Sequence, residues 1–238
     1  MPDSTIYAEG SGNPDDATVF QGDHTVDWAT ARGTSLTAGI VHRDFDTSYA
    51  SAIFSRYLIG RGGAAMWVNR RVYMGFDVSG ESGTVDSATV KVYMDNVGDT
   101  GANARIAMVQ ATTLAGSTAD YGNCFSSGTT LGTSMIDNFV EISTTAGYHD
   151  FELNSDGISA LNSKIGSGLF EVCFMSHKFD YSNEDPDDGS GGSGDYTQIS
   201  VRFTEYSGTG SDPKIEIDYE SGVGGESTGN AVIFGSNF

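Results

Sequence analysis

The sequence predicts an all-β antiparallel sandwich with one short helix and a long N-terminal excursion. Three observations predict it: apolar residues recur with a period of two along short segments, Gly, Asp and Ser separate those segments, and only one stretch has helical spacing. The chain of 238 residues can bury such a core as one unit. It carries 32 glycines and only 4 prolines, so its turns are built on glycine.

The opening STIYAEG is followed by a less regular stretch, 10–69. It holds strand-like fragments around Val19–Phe20 and Val26–Trp28, a weaker strand in AIFSRYLIG (52–60), and a Gly-rich RGGAA (61–65). It lacks the apolar mass for a separate core, so it reads as an irregular insertion in one domain spanning 1–220. In RRVYMGFDV, Val72, Met74, Phe76 and Val78 share a face; in ATVKVYM, Ala88, Val90, Val92 and Met94 do so. FVEIS (139–143) and HDFEL (149–153) are weaker strands. NSDGISALNSKIG then places Ile158, Leu161 and Ile165 on one helical face, with Ser155 or Asp156 as N-cap and Gly166 past the end. LFEVCFM (169–175) is apolar on nearly both faces, as a central strand is. Ile199, Val201 and Phe203 alternate in the next strand, and Ile215, Ile217 and Tyr219 in the last. Between these, Phe179 and Tyr181 are expected to close one strand and Tyr196 to open its neighbour, making 182–195 a hairpin loop.

That loop is acidic. Asp180, Glu184, Asp185, Asp187, Asp188 and Asp195 lie close together with Gly and Ser at 189–194. GSGGSG matches the glycine pattern of dinucleotide loops, but a strand rather than a helix follows it, and Asp187 and Asp188 would repel phosphate. Asn183, Asp185 and Asp187 alternate like the start of an EF-hand, yet Asp188 stands where that loop needs glycine, and Gly194 where it needs glutamate. The favoured expectation is no metal and no cofactor; Asp180, Asp185, Asp187 and Asp188 are the oxygens an irregular calcium site would use.

Twelve basic against thirty-two acidic residues give a net charge of −20. That balance argues against nucleic acid and against an anionic membrane surface as partners. Few lysines and many aspartates suit a protein kept hydrated in salty water. The four histidines are scattered, and neither a metalloprotease helix motif nor a serine nucleophile elbow occurs, so no catalytic residues are assigned and no enzyme is expected. Cys124 and Cys173 make no disulfide framework, and Cys173 reads as a buried small hydrophobe. Trp28, Tyr49, Tyr57 and Trp67 could stack on sugars if their rings were exposed, although large aromatics more often anchor packing. After Tyr219 a Gly-rich spacer leads into AVIFGSNF, read as an arm over 221–238. Its Ala231, Val232, Ile233, Phe234 and Phe238 are expected to dock on a neighbouring subunit.

The order of the strands resembles the DNRLRE-type domain, also grouped with carbohydrate-binding modules of family 96. Phe76–Asp77, Ala88–Tyr93, and the closing pair with Phe203, Glu205, Pro213, Ile215, Ile217 and Tyr219 occupy the matching places. The Ser-Arg that precedes the glutamate in that family is absent, and 10–69 has no counterpart. The resemblance implies a jelly-roll sandwich and, more loosely, carbohydrate binding. Residues 1–20 show no export signal, and no Asn-x-Ser/Thr sequon occurs. An extracellular type of sandwich without these marks is expected in a tailed-phage virion, assembled in the host cytoplasm as a head decoration or a tail or fibre component. Its partners would be other virion proteins and copies of itself. A stand-alone module that binds a polysaccharide, including one on a host surface, is the alternative.

Overall fold

Alternating apolar residues drive this chain into strands, because each strand then has one face that must leave water. A computed structural model describes residues 2–8, 16–21, 27–33, 40–44, 51–59, 65–98, 101–112, 118–189, 194–203 and 209–220. Tyr49 and the arm with Ala231, Val232, Ile233, Phe234 and Phe238 lie outside the described residues. The strands are β1 (Ser4–Tyr7), β2 (Asp16–Gln21), β3 (Ile40–Asp44), β4 (Ser51–Ile59), β5 (Ala65–Asp77), β6 (Val85–Val97) and β7 (Arg105–Gln110). They continue with β8 (Phe125–Ser127), β9 (Thr130–Leu131), β10 (Val140–Glu141), β11 (Gly147–Glu152), β12 (Leu169–Ser176), β13 (Tyr196–Val201) and β14 (Lys214–Tyr219). Two short α-helices, α1 (Trp28–Arg32) and α2 (Ser155–Asn162), complete the set with a few single turns.

All the strand pairs are antiparallel, and the protein is an all-β sandwich. Its layers are organised by β5 and β6, each 13 residues long and so able to serve two sets of neighbours. Along β6, β14 and then β13 pair on one side while β11 pairs on the other: Lys91 faces both Lys214 and Asp150, and Met94 both Val201 and Gly147. Along β5, β4 takes the first half and β12 the second, with β2 across from them. One layer thus runs β1-β14-β6-β11 and the other β3-β2-β5-β12-β7-β10. Strands β4 and β13 pair with each other and join the two.

The core lies between the layers. Val72, Met74 and Phe76 of β5 meet Val90, Val92 and Met94 of β6, with Val172, Ile215 and Ile217 beside them. Phe151 of β11 packs edge-on to Phe174 of β12, ring centroids 5.0 Å apart, which is a contact from one layer to the other. Helix α2 seals one end through Leu161 and Ile158. Its N-cap is Asn154, whose side chain accepts from the Gly157 N–H at 2.9 Å, one residue earlier than expected. Beyond it the chain turns at Gly166, where φ is +73°.

Three expectations need correction. The described residues of 10–69 are not irregular: they supply β2, β3, β4 and the start of β5 to the same sheet. Trp28 begins helix α1 rather than closing a strand, because Asp27 caps the helix by accepting from the Thr30 N–H. The segment 182–195 is not a hairpin loop. Strand β12 stops at Ser176, a π-helical turn spans His177–Tyr181, and β13 lies apart from β12 with β4 and β5 between them. The connection is a crossover, and its residues Pro186 and Gly194 approach so closely that a Cβ on Gly194 would lie 1.9 Å from the Pro186 carbonyl oxygen.

Removing the interlayer ring tests this packing. Phe174→Ala is expected to cost about 3–5 kcal/mol, read as a lowered urea midpoint with the strand circular dichroism retained in dilute buffer.

Candidate functional site

The chemistry of this molecule gathers on the far side of β5 and β12, away from the main core. Alternation along β5 turns Val72 and Met74 inward, and so turns Asn69, Arg71 and Tyr73 to the other face. That face is not open to water. Helix α1, the single turn Thr118–Gly122 and the π-helical turn cover it, and Arg71 is fully buried.

A buried guanidinium is tolerable only with an opposite charge and a complete set of acceptors. Asp180, also fully buried, supplies the charge in a forked pair: Arg71 Nε donates to Oδ2 at 2.6 Å and Nη2 to Oδ1 at 2.8 Å. Arg71 Nη1 donates to the Tyr121 carbonyl at 2.8 Å, and Nη2 to the Arg32 carbonyl. The Asn69 amide donates to Asp180 Oδ2 at 2.8 Å and accepts from the Ser55 hydroxyl at 2.7 Å. Arg32 donates through Nε to the Asp180 carbonyl. The Tyr121 hydroxyl donates to the Ala31 carbonyl, and the Tyr73 hydroxyl donates to the Tyr121 carbonyl at 3.1 Å. Rings complete the enclosure: the Arg71 guanidinium carbon lies 4.4 Å from the Tyr121 ring centre and 4.9 Å from that of Phe125.

The π-helical turn is what puts Asp180 there. Its wider i to i+5 bond, from the Ser182 N–H to the His177 carbonyl, lets the chain swing Asp180 inward directly after a strand. Burial would lower the Arg71 guanidinium, but Asp180 with Cys124 and Tyr121 outweighs it and holds the group well above its ordinary value. Burial pushes the Tyr121 phenol up to about 12, and pushes the Tyr73 phenol well up too.

Next to this knot, and sharing Phe125 with it, is an open cleft of about 310 Å³. Phe125 and Phe170 wall it; Gln110, Thr112, Thr133 and Lys164 bring polar groups to it. Gly132 keeps the cleft's floor tight, since a Cβ there would lie 2.6 Å from the Gln110 carbonyl oxygen. The lining offers one ammonium, the Glu171 carboxylate, hydroxyls and two phenyl rings, a set that can hold a small polar, hydroxyl-rich ligand.

The residues singled out from the sequence fall elsewhere. Trp28 and Tyr57 are buried; Trp28 packs with Ala31 and Phe179, and the Tyr57 ring tilts against Trp67 at 4.9 Å. The Trp67 indole N–H donates to Asp185 at 2.8 Å, so the second tryptophan is tied to the acidic loop. Of the four candidate calcium residues, Asp180 is held by Arg71 inside. Asp185 and Asp187 cap the loop's own N–H groups, at Asp187 and Gly189. Asp188, the fourth, is exposed on the same loop. Asp195, outside that set, pairs with Lys178 at 2.8 Å. Among the described residues no three His, Cys, Asp or Glu side chains converge as a metal site would require. The knot itself was missed. Its one local trace is Arg71 set against the apolar run Val72–Phe76 in NRRVYMGF; its partner Asp180 lies 109 residues away.

No protein-family model matches the chain, and no curated protein matches it.

Two outcomes follow from the knot. Asp180→Asn and Arg71→Met are each expected to cost about 3–5 kcal/mol, because each leaves a buried group without its partner. The double variant should cost less than the sum in a urea-unfolding cycle. The second concerns alkali. The folded-state phenol of Tyr121 is raised from 10.0 to about 12, so the stability it adds is complete below pH 10. It is lost as pH rises towards the folded value, because the unfolded chain releases its proton first. Urea unfolding at about pH 8 and about pH 11 should show the loss, and Tyr121→Phe should make it smaller.

Proposed function

We propose that the chain is a non-enzymatic structural protein of a tailed-phage virion, a head decoration or a tail or fibre component. The observation that supports this reading best is how its charge is used. Arg71 is enclosed with Asp180, while Lys91, Arg105, Lys178 and Arg202 pair with carboxylates on neighbouring strands or loops and Lys214 with Glu216 on its own strand. With thirty-two acids against twelve bases, the shell left over is strongly acidic. A rigid sandwich in an acidic shell stays hydrated at high copy number and lets copies meet only at a designated contact. The finer assignment to the jelly-roll sandwiches of the DNRLRE type belongs to the same proposal. So does the expectation that no metal or cofactor is needed. The test is immunogold labelling of particles purified from the lysate that encodes the chain. Regular labelling of heads or tails is the expected result, and label confined to the particle-free fraction overturns the reading.

The cleft favours a second reading, a module that binds polysaccharide. Its volume of about 310 Å³ and its polar lining suit a sugar unit, and here the sugar would meet Thr133 and Lys164, with only the edge of Phe125 in reach, rather than Trp28 and Tyr57. Affinity electrophoresis through a panel of neutral and acidic polysaccharides tests it. Retardation that Lys164→Ala weakens by tenfold or more supports the cleft; unretarded migration in every gel excludes it.

A further inference from the structure

The two cysteines of this chain lie far apart in sequence, and the fold brings them together. Cys173 is on β12, on the face turned away from the main core, paired across the sheet with Tyr73 and Val109. Cys124 follows the turn Thr118–Gly122 and enters the same small apolar cluster from above. Both are reduced and fully buried. The Cys124 thiol donates to the Tyr121 carbonyl at 3.9 Å, the oxygen that also accepts from the Tyr73 hydroxyl and from Arg71 Nη1, and Tyr73 is the cross-strand partner of Cys173. The proton affinity of each thiol responds to the other and to the Arg71 charge. Burial pushes the Cys173 thiol well up; burial also opposes a thiolate at Cys124, but Cys173, the Arg71 cation and Tyr73 together outweigh it and lower that thiol.

Packing alone does not ask for this arrangement. One cysteine as a small hydrophobe is ordinary. Two thiols in one small buried cluster, from segments that no strand pairing joins, beside a guanidinium and a phenol, form a unit with a chemistry of its own. Cys124 leads straight into the short pair β8 and β9, whose residues Ser126 to Thr130 are exposed, and opening of that segment gives an oxidant its way to the thiol.

We propose that Cys124 and Cys173 are a latent disulfide, a covalent clasp that closes when the folded protein meets a disulfide-type oxidant. The Cys124 thiolate attacks a sulfur of the external disulfide, forming a mixed disulfide and releasing one thiolate. Cys173 loses its proton and attacks the Cys124 sulfur; the protein disulfide forms and the second small thiol leaves. Two thiols of the protein are oxidised and one external disulfide is reduced to two thiols, which take up the two protons. The bond ties the segment that covers Arg71 to the central strand beneath it, closing a loop of roughly fifty residues in the unfolded chain. A protein assembled in a reducing compartment and used outside it would acquire this clasp only after release. The inference rests on the thiol geometry and not on either reading of function.

The experiment uses the full chain, purified under reducing conditions and desalted. It is exposed to oxidised glutathione without denaturant, then quenched with iodoacetamide in guanidinium. The expected result is an intact mass two hydrogens lighter with no alkyl groups, a cross-linked peptide joining Cys124 to Cys173, and a Tm several degrees higher that dithiothreitol reverses. Cys173→Ser should instead stop at the glutathione adduct on Cys124. Two alkylated thiols after prolonged exposure, persistent glutathione adducts on the wild type, or cross-linked dimers would each overturn the proposal. Thiol counting on the wild-type chain decides the matter even if the serine variant fails to fold.

Discussion

The buried pair of Arg71 and Asp180 sets the terms for one whole face of this sandwich. An unpaired guanidinium at that depth would cost several kcal/mol, more than a domain of this size can readily tolerate. Its neighbours are therefore constrained to positions that complete it. The π-helical turn must deliver Asp180, the turn at Thr118–Gly122 must offer the Tyr121 carbonyl, and α1 must end with the Arg32 carbonyl in reach. Three connections far apart in the sequence are fixed by one side chain. A hydrophobic contact could have covered the same area, but it would not have fixed their orientations as closely, because apolar burial has no direction.

The main core is held differently, by area rather than by geometry. Its residues alternate along β5, β6, β12, β13 and β14 and interlock between two layers, so any one of them meets several others. The consequence is a division of labour. The inner face carries most of the apolar burial, and the outer face of β5 and β12 carries the specific polar contacts and the thiol pair. The cleft lies where the two meet, with Phe170 from the first and Phe125 from the second.

Much of the inner face was legible in the sequence, because a period of two is a direct record of burial. Val72, Met74, Phe76, Val90, Val92, Ile199, Ile215 and Ile217 are all where that period puts them. Strand β7 escaped notice because Ile106, Ala107, Met108 and Val109 run without alternation, as befits a strand buried on both faces. The boundary at Ser176 was illegible for another reason. Phe179 continues the apolar pattern of β12, but its ring packs with Trp28 and Ala31 from the far N-terminal segment, a contact no local window contains. The same holds for Arg71, whose partner is more than a hundred residues away. Local periodicity records which face is dry; it does not record which distant loop dries it.

The order of strands within the sheet has a consequence for how the protein is made. Strand β14 lies between β1 and β6, and β13 lies between β4 and β6. The segments synthesised late are thus interior to the pairing, and those synthesised early wait beside vacant hydrogen-bonding edges. Contacts that join such distant parts of the chain are slow to form, since loop closure precedes any gain from pairing. A nascent chain stalled before β13 would display the edges of β4 and β6, the type of edge that templates aggregation. Native structure on this topology is completed only after β13 and β14 have been made. The acidic shell then has a second use, since mutual repulsion keeps half-made copies apart during that wait.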